Sequence, residues 1–102
     1  MKKIVIIGGG IAGLAAAYYI HKEISKKIPV ECTVLESSEN FGGKISTLRF
    51  DGFIVERGPD SFISQKPQAV ELCKELGLEN QLIGTNPDHP NTYVCLKNNM
   101  AS

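Results

Sequence analysis

The sequence predicts an α/β fold: a parallel βαβ unit, an antiparallel hairpin inserted after it, and a following helix, together an incomplete doubly wound sheet. Three observations carry this expectation. Residues 4–20, IVIIGGGIAGLAAAYYI, are uncharged but change their period at a glycine triplet. Residues 30–36, VECTVLE, alternate as a second strand should. Residues 47–56, TLRFDGFIVE, place two β-rich runs on either side of Asp-Gly.

The opening run follows Met1, Lys2 and Lys3, so it also has the outline of a secretion signal. Gly8, Gly9 and Gly10 argue against that outline, because each glycine costs a helix about 1 kcal/mol relative to alanine. The run then divides. Lys3 to Ile7 is short and β-branched, the composition of a strand buried on both faces. Ile11, Leu14, Tyr18 and Ile24 recur at helical spacing, and the helical pattern continues to about Lys26. Ala12, Ala15, Ala16 and Ala17 would let such a helix lie close against a sheet.

The turn between them reads Gly8-x-Gly10-x-x-Gly13. Between a strand and a helix, this spacing is a dinucleotide-binding fingerprint. Gly8 permits the tight exit from the strand. Gly10 has no Cβ to obstruct a pyrophosphate, and Gly13 lets the helix approach the strand. Gly9, Ile11 and Ala12 fall in the same turn and the first helical residues, where unpaired N–H groups favour an anion. A phosphate-binding P-loop is excluded, since no Gly-Lys-Ser/Thr follows. Glu36 closes the second strand, about 20 residues beyond the turn, where a carboxylate accepts hydrogen bonds from a ribose diol. The pattern is that of a Rossmann-like unit, and to this point it suits NAD and FAD equally.

Composition narrows the rest. The chain has 102 residues, enough for one small domain. Eleven basic and eleven acidic residues are interspersed, which gives no footprint for nucleic acid and no charged tail. Cys32, Cys73 and Cys95 are widely separated and have no metal-ligand spacing with His21 or His89. They read as reduced, structural thiols of a cytoplasmic protein with no metal site. No side chain here calls for a direct catalytic role.

Beyond Glu36, residues 39–47 (ENFGGKIST) bring a second glycine pair, Gly42-Gly43, followed by Lys44. A type I′ hairpin at Asp51-Gly52 then replaces the crossover helix expected of a simple NAD unit. Residues 67–76 read as a helix with Pro67 in its first turn, Gly77 as its C-terminal cap and Leu78 folding back. Ala69, Leu72 and Leu76 mark its inward face. A loop containing His89 leads to TYVCLK, residues 92–97, a further strand.

The glycine turn, the strand-ending acid and the Gly-Gly-Lys sequence together resemble the FAD-dependent amine oxidases and related flavoproteins. Residues 51–62 (DGFIVERGPDSF) and 66–82 (KPQAVELCKELGLENQL) are similar to a narrower group, the porphyrinogen oxidases of haem biosynthesis, especially the soluble bacterial type. The resemblance implies FAD as cofactor and a porphyrinogen as substrate. It implies that Gly8 to Gly13 hold the pyrophosphate and that Glu36 and Ser37 hold the adenosine ribose. Gly42, Gly43 and Lys44 would lie along the diphosphate and ribityl side, and Gly58, Pro59, Asp60 and Ser61 near the flavin. Asn40 departs from the family pattern, standing where many members carry an Arg that the resemblance would place on a phosphate. Glu56 and Arg57 read as surface charges. Another flavin amine oxidase, a carotenoid desaturase or a non-catalytic truncated product are the rival readings.

The resemblance covers residues 3–97 but only the first quarter or so of such an enzyme. Residues 1–85 are expected to be the N-terminal part of an FAD-binding domain, and 86–102 a loop and the start of a truncated substrate domain. No transmembrane segment is expected. With its first strand unpaired along one edge, the chain alone is expected to self-associate and not to turn over substrate.

Overall fold

The computed structural model describes residues 1–89, 91, 93–96 and 99–101. The chain forms two compact units, Met1–Phe62 and Ile63–Ser102.

In the first unit, β1 (Lys2–Ile7), α1 (Ile11–Tyr19) and β2 (Val30–Leu35) follow in order. β1 and β2 are parallel, running in register from Lys2 opposite Val30 to Ile7 opposite Leu35. The pairing extends one bond further, as the Gly8 N–H donates to the Leu35 carbonyl at 2.7 Å. α1 is therefore the crossover that parallel strands require.

α1 does not continue as one α-helix to Lys26. Ile20–Ile24 form a π-helical turn, with the Ser25 N–H donating to the carbonyl of Ile20, five residues back, at 3.0 Å. Two local features favour the change. Tyr18, Tyr19 and Ile20 are aromatic or β-branched and crowd a helical surface. The Ser25 hydroxyl donates to the His21 carbonyl four residues back, a bond that bends helices.

The expectation of a strand covered on both faces is corrected. Ile4 and Ile6 are half-buried, like their partners Cys32 and Val34. Val5 and Ile7, which alternate with them, are 57% and 87% exposed. Among the described residues β1 pairs with β2 alone and no layer covers that second face. Of the apolar residues at helical spacing, Tyr18 is half-buried. Gly13, Ala17 and Ile20 are also half-buried, whereas Ile11 and Leu14 are exposed. Small residues face the sheet because the helix lies very close to it. A Cβ at Gly13 would overlap the Gly8 carbonyl oxygen and stand 3.3 Å from Ile6 Cγ2.

β3 (Thr47–Phe50) and β4 (Phe53–Glu56) make the antiparallel hairpin, with Phe50 opposite Phe53. Asp51 and Gly52 both have positive φ, 48° and 79°, as a type I′ turn demands. The Phe50 and Phe53 rings meet in a tilted contact beside the turn, 6.3 Å between centroids and 44° between planes, and Thr47 Oγ1 donates to the Glu56 carboxylate at 2.9 Å at the open end.

In the second unit, α2 (Pro67–Glu75) ends in a Schellman motif. The Leu78 N–H donates to the Cys73 carbonyl at 2.8 Å and the Gly77 N–H to the Lys74 carbonyl at 3.1 Å, with Gly77 at φ 75°. Ala69 and Leu72 are half-buried as expected, joined by Val70 and Cys73. Leu76 is half exposed, because it sits at the cap, where the chain turns out of the helical register. A 3₁₀ turn follows at Glu79–Gln81, and β5 (Val94–Leu96) pairs antiparallel with β6 (Asn99–Ala101). β5 is the core of the strand expected over 92–97, whose ends Thr92 and Lys97 lie outside the described residues. Among the described residues no hydrophobic side chain is fully buried in either unit.

Candidate functional site

Three segments converge beyond the C-terminal ends of β1 and β2. The first is the glycine turn. Gly8 leaves β1 at φ 107°, a conformation that only glycine adopts without strain. Gly10 then caps α1 with extended backbone, no side chain caps the helix, and its first turn holds no acidic residue. The N–H groups of Ile11, Ala12 and Gly13 are left for an anion, and the helix dipole points the same way.

The second glycine pair closes over the first. The Gly42 N–H donates to the Gly9 carbonyl at 2.8 Å, and Gly10 and Gly42 form a parallel bridge. Gly42 and Gly43 have φ of 121° and 61°. A Cβ on Gly43 would stand 3.2 Å from the Gly10 Cα. The two backbones thus face each other with no side chain between them. Gly9 lies at the centre and is buried, under the Phe41 ring.

Glu36, immediately after β2, supplies the third element. Its Oε1 accepts the Gly9 N–H at 2.7 Å. Its Oε2 accepts the Ser38 N–H at 2.9 Å and the Ser38 hydroxyl at 2.7 Å. The Ser38 N–H, the Ser38 hydroxyl and the Gly9 N–H, in that order, hold the carboxyl below the ordinary glutamate range. Glu36 is therefore an anion at neutral pH, tied to the turn that begins α1.

The structure thus brings Gly8 to Gly13, Glu36, Gly42 and Gly43 into one cradle. Lys44 follows directly, its side chain exposed. Its carbonyl lies against Gly58, where a Cβ would overlap it, and the Arg57 N–H donates to the Ser46 carbonyl at 2.8 Å. Gly58 is thereby anchored beside the second glycine pair. Pro59, Asp60 and Ser61 are exposed, and the Ser61 hydroxyl donates to Asp60 Oδ1 at 3.2 Å. Ser37 is exposed and makes no hydrogen bond to the Glu36 carboxylate among those of the described residues. The hydroxyl on the carboxylate belongs instead to Ser38, a residue the motif spacing did not single out. Its one signal is local, a serine hydroxyl two residues after a strand-ending acid, within reach of that carboxylate. Among the described residues no cluster of His, Cys, Asp or Glu could hold a metal ion, and no helix is long and apolar enough to cross a membrane.

A family model for flavin-containing amine oxidoreductases matches residues 11–99. The chain belongs to the flavin-containing amine oxidoreductase family. Within that family it is 57% identical over 83 residues to the coproporphyrinogen III oxidase of Bacillus subtilis, a match covering 80% of this chain and 18% of the relative. It is 34% identical over 93 residues to the human protoporphyrinogen oxidase, covering 87% and 19%. Among solved structures it resembles the Exiguobacterium sp. 255-15 protein described as a protoporphyrinogen oxidase. There the TM-score is 0.68 with 46% identity, over 78% of this chain and 17% of that one. This member of the family spans about a fifth of the length of the curated relatives it matches.

Proposed function

We propose that the chain supplies the adenosine-diphosphate end of an FAD site in a porphyrinogen oxidase, within a Rossmann-like unit whose sheet is incomplete here. The observation that carries the reading is the meeting of two glycine backbones at Gly10 and Gly43 beside the free N–H groups of α1 and the Glu36 carboxylate. A pyrophosphate needs donors and close approach, and the cradle offers both without a side chain in the way. A ribose diol needs an ionised acceptor, which Glu36 is. The donor set therefore fits a flavin dinucleotide.

In this reading the main-chain N–H groups of Ile11, Ala12 and Gly13 hold the pyrophosphate and Glu36 orients the ribose. Gly42, Gly43 and Lys44 carry the cofactor toward Gly58, Pro59, Asp60 and Ser61, which border the flavin end. When bound, the flavin supplies the redox chemistry, accepting hydrogen from the porphyrinogen, with oxygen as final acceptor. Residues 1–85 serve the cofactor and residues 86–102 begin the substrate-facing part. The names of the relatives favour coproporphyrinogen III as substrate and haem biosynthesis as the setting, and the reduced cysteines suit the cytoplasm.

Two measurements test the reading. Titrating the ¹⁵N-labelled chain with ADP should shift the amides of Gly9, Gly10, Gly13 and Gly43 most. Gly43→Ala should weaken that binding at least tenfold, because a Cβ at φ 61° is strained by about 1–2 kcal/mol and narrows the cradle. Shifts confined to other residues would refute the site. A chimera of the Bacillus enzyme carrying residues of this chain in place of its matching segment should oxidise coproporphyrinogen III and not a simple amine. The opposite preference would refute the substrate class.

A further inference from the structure

The Ser38 hydroxyl has two acceptors and one hydrogen. Its Oγ lies 2.7 Å from Glu36 Oε2 and 2.9 Å from the Asn40 carbonyl oxygen. Donation to one excludes donation to the other. The Glu36 carboxylate offers about four acceptor sites. Three are filled: by the Gly9 N–H, the Ser38 N–H and the Ser38 hydroxyl. The two N–H donors are fixed by the backbone. The hydroxyl alone turns freely about its C–O bond.

A ribose diol brings two O–H donors to a carboxylate with one site open. The geometry points to Ser38 as a positioning residue that guards this carboxylate. Its hydrogen holds the second ribose site in the free chain and is handed to the Asn40 carbonyl when a vicinal diol arrives. The inference rests on the adenosine-diphosphate reading above and assigns a part of that site to two residues outside the glycine motifs. The exchange leaves no polar group unpaired. Ser38 passes from an ionised acceptor to a neutral one, while the diol takes the ionised one. Since hydrogen bonds to ions are roughly twice as strong as neutral ones, the hand-over opposes binding of the second hydroxyl. A ligand with one hydroxyl uses the open site and meets no such opposition. Asn40 takes part through its carbonyl, so the residue type at position 40 does not decide the hand-over.

The test compares ADP with 2′-deoxy-ADP and 3′-deoxy-ADP on the 102-residue chain, its Ser38→Ala variant and its Ser38→Thr variant, by NMR titration. In wild type the second hydroxyl should add little affinity. Ser38→Ala should raise the preference for ADP over either deoxy ligand by roughly three- to tenfold, and Ser38→Thr should leave it at the wild-type value. ADP should also shift the ¹³C carbonyl resonance of Asn40 in wild type and Ser38→Thr but not in Ser38→Ala. ADP binding with an unchanged or reduced preference in Ser38→Ala, or without the Asn40 shift in wild type, would overturn the hand-over alone. Failure of wild type to bind ADP at all would overturn the dinucleotide reading and the hand-over with it.

Discussion

Gly13→Ala sets two physical effects against each other with opposite signs. Helix propensity alone favours alanine by about 1 kcal/mol. The structure opposes it, because the added Cβ would overlap the Gly8 carbonyl oxygen, approach the Gly8 carbonyl carbon to 3.1 Å and meet Ile6 Cγ2 at 3.3 Å. Two of these three atoms are backbone and cannot swing aside. Overpacking costs typically about 1–3 kcal/mol, and a backbone obstacle puts this case near 3. The net is a loss of about 2 kcal/mol, with the Gly8 peptide displaced. The Gly8 N–H, which donates to Leu35 at the end of β1, reports that displacement directly. Its amide hydrogen exchange should accelerate roughly thirtyfold, at 1.4 kcal/mol for each factor of ten. A local probe is the right one for a chain without a fully buried hydrophobic side chain among its described residues. Gly84→Ala, where a Cβ meets nothing within 4 Å, is the control and should leave Gly8 exchange unchanged. If propensity governs instead, exchange in Gly13→Ala slows about fivefold, and the close approach of α1 to the turn is refuted.

Two further outcomes are expected. Because its hydrogen bonds hold the Glu36 pKa down in the folded chain, their stabilising effect is complete above the ordinary value of 4.5 and is lost as the pH falls through the lower folded value. The Gly9 and Ser38 amide resonances should therefore titrate together below pH 4.5, and in Glu36→Gln they should not; a midpoint above 4.5 would contradict the hydrogen-bond pattern. The open edge of β1 and its exposed Val5 and Ile7 should drive self-association, seen by sedimentation as species heavier than 11.1 kDa that grow with concentration. Val5→Lys should shift the distribution toward the monomer, and a wild-type chain monomeric at all concentrations would count against edge pairing.

Much of the fold was legible because its signals are local. The glycine triplet marked where β1 ends, Asp51-Gly52 named its own turn type, and Pro67 and Gly77 bracketed α2. What escaped the sequence depends on groups distant along the chain or on competition within one turn. The bridge between Gly10 and Gly42 joins segments separated by a helix and a strand, and no spacing rule announces it. The rotation of α1, which turns Ile11 and Leu14 outward, is set by how closely Gly13 and Ala17 let the helix approach, whereas periodicity records only that apolar residues recur. The π-turn at Ile20–Ile24 hides inside a pattern that a continuous α-helix would also satisfy. In the candidate site the acid and both glycine pairs were readable, but which serine hydroxyl meets Glu36 was not. Ser37 and Ser38 differ by one position, and only the direction of the chain after β2 separates them.

The bond from the Gly42 N–H to the Gly9 carbonyl has a consequence for how such a cradle divides its entropy. Side-chain donors that close on a ligand lose rotamer freedom at that moment, about 0.5–1.5 kcal/mol for each long side chain held still. Main-chain donors have no rotamers to lose. Their ordering is settled when the two glycine segments join, before any phosphate arrives. Affinity at this end of the site should then follow the integrity of one junction between distant segments, and a lesion that loosens that junction should weaken phosphate binding while every donor group is still chemically present.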